Sequence, residues 1–252
     1  MARQEKLYYT KELPMSGHSK WSTIKRKKAV VDAKRGKSFT KLIKEISVAA
    51  RVGGGDPGAN PRLRTLVDKA KAINMPIENT MRAIKKGTGE LPGVNYEAHT
   101  YEGYGPNGIA VIVDALSDNK NRTVAELRHV FTAKGGSLGE TNSVNWMFER
   151  MGVIHTSNAT MTEDSLLEKL FDYEINDIKL EDGTFAIACS VKSLDQVKQA
   201  VQQLGLKIED AEIEWVAKNT TELDDAQAEK ALEFLSELED LEDVQNVYTN
   251  LA

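Results

Sequence analysis

The chain has 252 residues, 40% of them hydrophobic and 28% charged, which is typical of a globular protein with one large or two to three small domains. A lone cysteine, Cys189, excludes an intramolecular disulfide, and no apolar run approaches the ~18 residues that cross a bilayer, so we expect a cytoplasmic protein without a membrane partner. The net charge of −5 hides two opposite ends: residues 1–90 hold 21 Lys and Arg against 8 Asp and Glu, whereas residues 151–252 hold 7 against 23. Such segregation attracts a polyanion to the basic end and favours a nucleic-acid partner.

The densest basic segment is residues 17–28, which contains five cations and the aromatic Trp21. Cations neutralise phosphates and an indole can stack on a base, so the segment is predicted to be an arm that binds nucleic acid. The small and polar residues 17–19 are poor helix formers, so we expect the arm to be mobile in the free protein and ordered on its target. In the alternative interpretation, Trp21 packs onto the protein and never meets nucleic acid.

A helix is predicted over residues 37–51, because its apolar residues recur on one stripe. Lys37, Lys41, Lys44 and Arg51 mostly face away from that stripe. This helix therefore has an apolar face for a core and a basic face for a partner.

The glycine-rich residues 53–58 interrupt the helical pattern. Their backbone amides could cradle a phosphate. We favour a flexible link that lets Arg51, Arg62 and Arg64 reach one surface together, an arrangement suited to an irregular phosphate backbone.

Two further helices complete a predicted N-terminal bundle. Residues 60–61, Asn followed by Pro, are typical of a cap and a first helical position before the apolar stripe of 63–73. A shorter helix follows Pro76 and is closed by Gly87 as a helix-terminating glycine. Its apolar residues are predicted to point inward: Ile77, Met81 and Ile84.

After Gly89 the apolar period changes from 3.6 to 2, and one pattern occurs twice. Each copy is a strand, a helix, a glycine turn and further strand. In the first copy the strand is 109–116, the helix 124–131, the turn 135–136 and the further strands 144–148 and 152–156. In the second copy the strand is 184–191, the helix 194–204, the turn residue 205 and the further strand 211–216. An acidic helix over 223–241 and a last strand over 244–248 follow. If the second copy already has its strands, this last strand returns to the first, so the second module is an insertion. We expect an α+β fold: an N-terminal helical bundle and two ferredoxin-like α+β modules, the second inserted in the first.

Two motifs resemble nucleotide-binding sequences without their context. Residues 103–108 satisfy G-x-G-x-x-G but precede a strand, whereas a dinucleotide site needs them after one, so we interpret them as a turn. Residues 36–38 resemble the end of a Walker A loop but lack its earlier glycine and its strand.

Catalytic and metal-binding patterns are also missing. The four histidines, His18, His99, His129 and His155, have no metal-ligand spacing, and no Ser/His/Asp or Cys/His arrangement can be argued. We therefore expect no catalytic residue, metal, cofactor or small-molecule substrate.

Many short motifs in order resemble the YebC/PmpR family. They are MSGHSKW at 15–21, DAKRGK at 32–37, FTKL at 39–42, GGGDP at 53–57, NPRLR at 60–64, YEGYGP at 101–106, DNKNRT at 118–123 and VQNVY at 244–248. The family begins at the position of Met15, so residues 1–14 are expected to be an extension outside the family and to be disordered.

The resemblance implies three domains around a cleft and a cytoplasmic, non-enzymatic regulator of gene expression. Bacterial members are usually described as probable DNA-binding transcriptional regulators; a mitochondrial relative is a translational activator of cytochrome c oxidase, and some bacterial members look ribosome-associated. The expected domains are 15–90, 91–147 with 218–252, and 148–217, in a chain that favours a monomer.

Three functions remain open: a DNA-binding transcriptional regulator, a translation factor that binds rRNA on the ribosome, and an enzyme that uses the cleft. The basic residues are mostly Lys, which position a protein on phosphates without reading base edges, so the residues slightly favour RNA. The residues predicted to bind nucleic acid are Gly17, His18, Ser19, Lys20, Trp21, Lys25, Arg26, Lys27, Lys28, Lys34, Arg35, Lys37, Lys41, Arg51, Arg62 and Arg64.

Overall fold

The computed structural model of the chain describes residues 21, 35–157, 161–181 and 183–252. Residues 1–14 and the arm, apart from Trp21, lie outside this part. The described chain forms two compact units, a larger one that runs to Phe148 and resumes at Thr221, and an inserted one over Glu149–Thr220. The predicted insertion is therefore confirmed. The separate helical domain with a boundary at residue 90 stays a prediction, because the helices belong to the larger unit.

The elements follow the α+β order expected from the sequence. In chain order they are α1 (Arg35–Gly53), α2 (Pro61–Ala72), α3 (Ile77–Gly87), β1 (Glu97–Tyr104), β2 (Ala110–Ser117), α4 (Lys120–Ala133), β3 (Ser137–Leu138), β4 (Phe148–Ser157), α5 (Glu163–Lys169), β5 (Ile175–Glu181), β6 (Thr184–Cys189), α6 (Leu194–Gln203), β7 (Lys207–Ala217), α7 (Asp225–Asp240) and β8 (Val244–Thr249). No helix in the described ranges is long and apolar enough to cross a membrane.

Helices α1, α2 and α3 share one apolar core, in which the side chains of Ile46 and Leu63 are fully buried. The prediction for α3 is wrong at Ile77 and Met81, which are exposed, and right at Ile84. The buried face of α3 instead carries Thr80 and Ala83 beside Ile84. It approaches α1 so closely that the Ser47 hydroxyl donates to the carbonyl of Ala83 at 3.0 Å, which small residues allow and large ones would prevent.

Gly87 serves this close approach rather than terminating α3. A Cβ at Gly87 would overlap the backbone carbonyl of Ser47 on α1, so only glycine fits there. The left-handed residue that follows the helix is Gly89, with φ +83°.

The sheet of the larger unit has the strand order β3–β1–β2–β8. The final strand β8 pairs antiparallel with β2, which confirms that the chain returns to its first module. Helices α4 and α7 cover one face, where Phe131 and Phe234 pack edge to face with ring centroids 5.0 Å apart.

The inserted unit repeats the plan with the strand order β5–β6–β4–β7 and a core around Phe185, Ile187 and Val197. The glycine turn predicted in both copies is present, since Gly135 has φ +77° and Gly205 has φ +76°. One predicted strand, residues 144–148, is wrong. That stretch is the end of a loop over residues 139–147, and β4 begins at Phe148.

Candidate nucleic-acid interface

Ten of the residues predicted to bind nucleic acid have no described side chain. They are Gly17, His18, Ser19, Lys20, Lys25, Arg26, Lys27, Lys28, Lys34 and Arg35. The other six are described, and they divide into buried, docked and exposed side chains.

Trp21 is buried. Its side chain is 2% exposed and belongs to the core cluster of the larger unit, with Val111, Phe131 and Phe234. Its indole N–H has no hydrogen-bond partner in the described part of the chain. Burying this unpaired donor offsets part of the free energy gained by packing the ring. An indole that stacked on a base would have to leave this core first. The burial therefore favours the interpretation in which Trp21 anchors the arm.

Lys37, Lys41 and Lys44 lie on one face of α1 and dock onto the C-terminal end of the acidic helix α7. The ammonium of Lys37 donates to the Asp240 carboxylate at 3.1 Å, and that of Lys41 donates to the Glu239 carbonyl at 2.9 Å. The last carbonyls of a helix lack intrahelical partners and sit at the negative end of its dipole, so cations stabilise them. Part of the basic face predicted for a partner thus binds the acidic end of the same chain.

Asp243 is the centre of this docking. Its buried carboxylate accepts hydrogen bonds from Lys44 and Arg122, both at 2.7 Å, from Thr123 at 2.8 Å and from Ser117 at 2.9 Å. Burial, the largest single influence, raises the pKa of Asp243, but the bonds from Lys44, Arg122, Thr123 and Ser117 outweigh it and hold the pKa well below its usual range. Lys44, predicted to face away from the helical core, is instead buried in this cluster.

The glycine-rich turn between α1 and α2 is held by its own hydrogen bonds. Asn60 caps α2 by accepting from the Leu63 amide, and its side-chain amide donates to the carbonyls of Ala49 and Gly54, each at 2.9 Å. The guanidinium of Arg64 donates to the carbonyls of Pro57 and Gly58. The expected flexible link is therefore a bonded turn, and Arg64 is exposed but tied to it.

Arg51 and Arg62 complete the described set of predicted residues. Both are exposed; Arg51 donates to the carbonyl of Tyr96, and the side chain of Arg62 makes no hydrogen bond or ion pair with any described residue. Neither cation has a carboxylate within ion-pair distance in that part of the chain.

Sequence reasoning missed three further cations of the same kind on α3: Arg82, Lys85 and Lys86. All three are exposed, and no described carboxylate forms an ion pair with them. The cluster of three cations in residues 82–86 could have indicated a binding surface. However, Lys85 and Lys86 lie in the last turn of α3, where cations also stabilise the negative end of the helix dipole. Exposed cations without carboxylate partners attract phosphates at low desolvation cost.

A group of possible metal ligands lies in the inserted unit, although the histidine spacing indicated none. His155 on β4 and Asp210 and Glu214 on β7 bring one ligand-type atom each within 4.8 Å of one another. His155 Nδ1 and the Asp210 carboxylate are 3.8 Å apart, which is ion-pair distance. Residues on neighbouring strands meet through sheet pairing, which spacing along the chain does not reveal.

Two family models match the chain and together span most of it. The model described as the TACO1/YebC protein N-terminal domain matches residues 19–90, and the model described as the TACO1/YebC second and third domain matches residues 96–251.

Relatives at about half identity carry one name. A protein of Chlorobaculum tepidum is 52% identical over 238 residues, 94% of this chain and 95% of that one; a protein of Chloroherpeton thalassium is 53% identical with the same coverage. Both are named probable transcriptional regulatory proteins. The crystal structure of a conserved hypothetical protein from Aquifex aeolicus is also similar, with a TM-score of 0.80 and 46% identity over 89% of this chain and 93% of that one.

Proposed function

Because the chain belongs to the TACO1/YebC family, we propose that it is a non-enzymatic regulator of gene expression that binds nucleic acid through the helical part of its larger unit. The observation that supports this most is a group of exposed cations on α1, α2 and α3 that have no carboxylate partner among the described residues: Arg51, Arg62, Arg64, Arg82, Lys85 and Lys86. We propose that the arm cations of residues 17–28, which lie outside the described residues, bind the same nucleic acid.

The internal docking of the lysines on α1 strengthens the proposal. Lys37 and Lys41 contact the last residues of α7, and Lys44 contacts Asp243 just after it. These three lysines are therefore neutralised within the chain, and we assign nucleic-acid binding to the other cations of the helical part. Arg62 on α2 and Arg82, Lys85 and Lys86 on α3 have no carboxylate partner among the described residues, so their field reaches solvent. A polyanion therefore has a defined basic surface to bind.

Phosphate contacts position a protein without reading sequence. The exposed cations of α2 and α3 therefore predict binding to both RNA and duplex DNA, with a steep dependence on salt. The names of the curated relatives favour a role in transcription, and the basic surface is equally suited to the backbone of a folded RNA.

A charge-reversal experiment tests the proposal. The double variant Arg62→Glu/Lys85→Glu should weaken binding of the full chain to RNA or duplex DNA, measured by fluorescence anisotropy. The slope of log K against log salt should also become shallower. Each phosphate that the variant no longer neutralises should lower the affinity about 5- to 8-fold at about 0.1 M salt, since the slope is ~0.7–0.9 per neutralised phosphate.

The matched control is Lys192→Glu/Lys230→Glu, which makes the same change in net charge at exposed residues outside the helical part. It should bind within about threefold of wild type, because neither residue belongs to the proposed binding surface. Equal losses in both double variants would show a non-specific charge effect and contradict a helical binding surface.

A further inference from the structure

The loop over residues 139–147 is held in place by hydrogen bonds to a buried carboxylate. Glu102 on β1 is 5% exposed and accepts backbone N–H bonds from Asn142 at 2.9 Å and from Val144 and Asn145, each at 2.8 Å. The fully buried side chain of Val144 anchors the same stretch. Because three charge-assisted bonds and an apolar anchor hold it, the loop has one conformation before any partner arrives.

Two exposed aromatic rings meet at this fixed loop, one from the loop and one from β1. Trp146 is 64% exposed and its indole N–H donates to the Ser143 carbonyl at 3.2 Å. The hydroxyl of Tyr104, on the neighbouring strand β1, donates to the same carbonyl at 3.3 Å. The polar edges of both rings therefore meet at one oxygen, and the indole N–H is already satisfied.

A largely exposed tryptophan on a rigid loop loses little conformational entropy when a partner covers it. Its N–H is bonded internally, and the exposed 64% of its side chain is surface that a partner can cover. Resting on the nucleic-acid function proposed above, we propose that Trp146 and Tyr104 form a stacking platform for an unpaired base of a single-stranded segment.

The surroundings favour a base over a protein surface. The other exposed side chains of the loop are polar, namely Glu140, Thr141 and Asn142, whereas the centre of a protein interface is usually a continuous apolar patch. The side chains of Asn142 and Asn145 are hydrogen-bonded to each other at 2.9 Å, and such amides can bind base edges beside a stacked ring. No cation lies in residues 139–147, so the contact is to the base and not to its phosphate.

The test compares Trp146→Ala with wild type on single-stranded oligoadenylate of about 12 nucleotides and on its duplex with oligouridylate. The variant should bind the single strand about 5- to 150-fold more weakly and the duplex with unchanged affinity. Because the substitution removes no phosphate interaction, the factor should be the same at about 0.05 M and about 0.3 M salt. The single strand should quench the tryptophan fluorescence of wild type, and the variant should lose most of that quenching.

Two controls keep the outcome interpretable. Trp146→Phe keeps an aromatic face and should retain most of the affinity, while Phe171→Ala removes another exposed aromatic side chain, 72% exposed, and should change nothing. The melting temperature of Trp146→Ala should equal that of wild type. If wild type binds the single strand and Trp146→Ala binds it equally well, the proposed stacking platform is wrong, although the proposed function stands. The platform is also wrong if Trp146→Ala weakens binding of the single strand and of the duplex by the same factor. If wild type binds neither nucleic acid, the proposed function itself fails.

Discussion

Replacing the buried carboxylate of Asp243 with an amide should destabilise the larger unit strongly. In Asp243→Asn the buried ammonium of Lys44, whose side chain is 3% exposed, loses the nearer and buried one of its two carboxylate partners, at 2.7 Å, and Arg122 loses one of its two. Breaking a buried ion pair by removing one partner costs about 3–5 kcal/mol, because the remaining charge stays desolvated. For a unit of this size that loss lowers the melting temperature by roughly 6–20 °C.

The assay is urea unfolding at neutral pH, with Glu242→Gln as the matched control. Glu242 also approaches Lys44, at 3.7 Å, but its side chain is 76% exposed, so its loss should cost no more than about 0.5 kcal/mol. Adding Lys44→Met to Asp243→Asn should recover part of the lost stability, because it removes the buried cation that has lost its buried carboxylate partner. If Asp243→Asn unfolds at the same urea concentration as wild type, the ion pair does not hold α1 against α7 and the reasoning is wrong.

The pKa of Asp243 is lower in the folded than in the unfolded chain, so its ionised carboxylate stabilises the folded state. This contribution is complete above the unfolded pKa of about 3.9 and is lost as the pH falls through the folded pKa. The difference in unfolding free energy between wild type and Asp243→Asn, measured by urea unfolding, should therefore stay constant from about pH 5 to 8 and shrink below about pH 4. Trp21→Ala should lower the free energy of unfolding by about 3–5 kcal/mol, as expected for a core aromatic, whereas Trp146→Ala should change it by less than about 0.5 kcal/mol; equal effects in denaturant unfolding would mean that Trp21 is not a core residue. Arg64→Ala should cost about 1–3 kcal/mol through its two bonds to the glycine-rich turn, and Arg62→Ala should leave the melting temperature unchanged while it weakens nucleic-acid binding; an unfolded helical part in Arg62→Ala would show a structural role instead.

Features set by near neighbours in the chain were predictable. The cap at Asn60, the glycine turns at Gly135 and Gly205 and the apolar stripe of α1 each depend on a few adjacent residues, and the structure contains them. The return of β8 to the first sheet followed from the need of a last strand for a partner.

Features set by contacts between distant residues were not predictable from the pattern. The lysines on α1 have the spacing of a solvated basic face, and only their contacts with Glu239, Asp240 and Asp243, about 200 residues later, reveal a docking surface. The apolar spacing of Ile77 and Met81 indicated a buried face, but close packing of α3 on α1 selects its small residues. Such an approach depends on backbone geometry that composition does not encode.

The stacking platform was missed for a similar reason. Residues 144–148 alternate in a way that is typical of a strand, whereas Glu102 on β1 binds three of the loop amides and stops a ladder from forming there. A carboxylate that organises a loop about 40 residues away leaves no local signal. From the sequence alone, Trp146 therefore looks like an ordinary residue of a strand and not like an exposed ring on a loop.

Ultraviolet crosslinking of the full chain to nucleic acid in cells, followed by mass spectrometry of the crosslinked peptides, tests the central claim most directly. The account predicts crosslinks in peptides from residues 15–90, around Arg62 and Lys85 in particular, and at Trp146. The recovered strands would show whether rRNA or promoter DNA is the target. Crosslinks confined to residues 161–217, or none above the background of a non-binding protein, would contradict a nucleic-acid surface on the helical part.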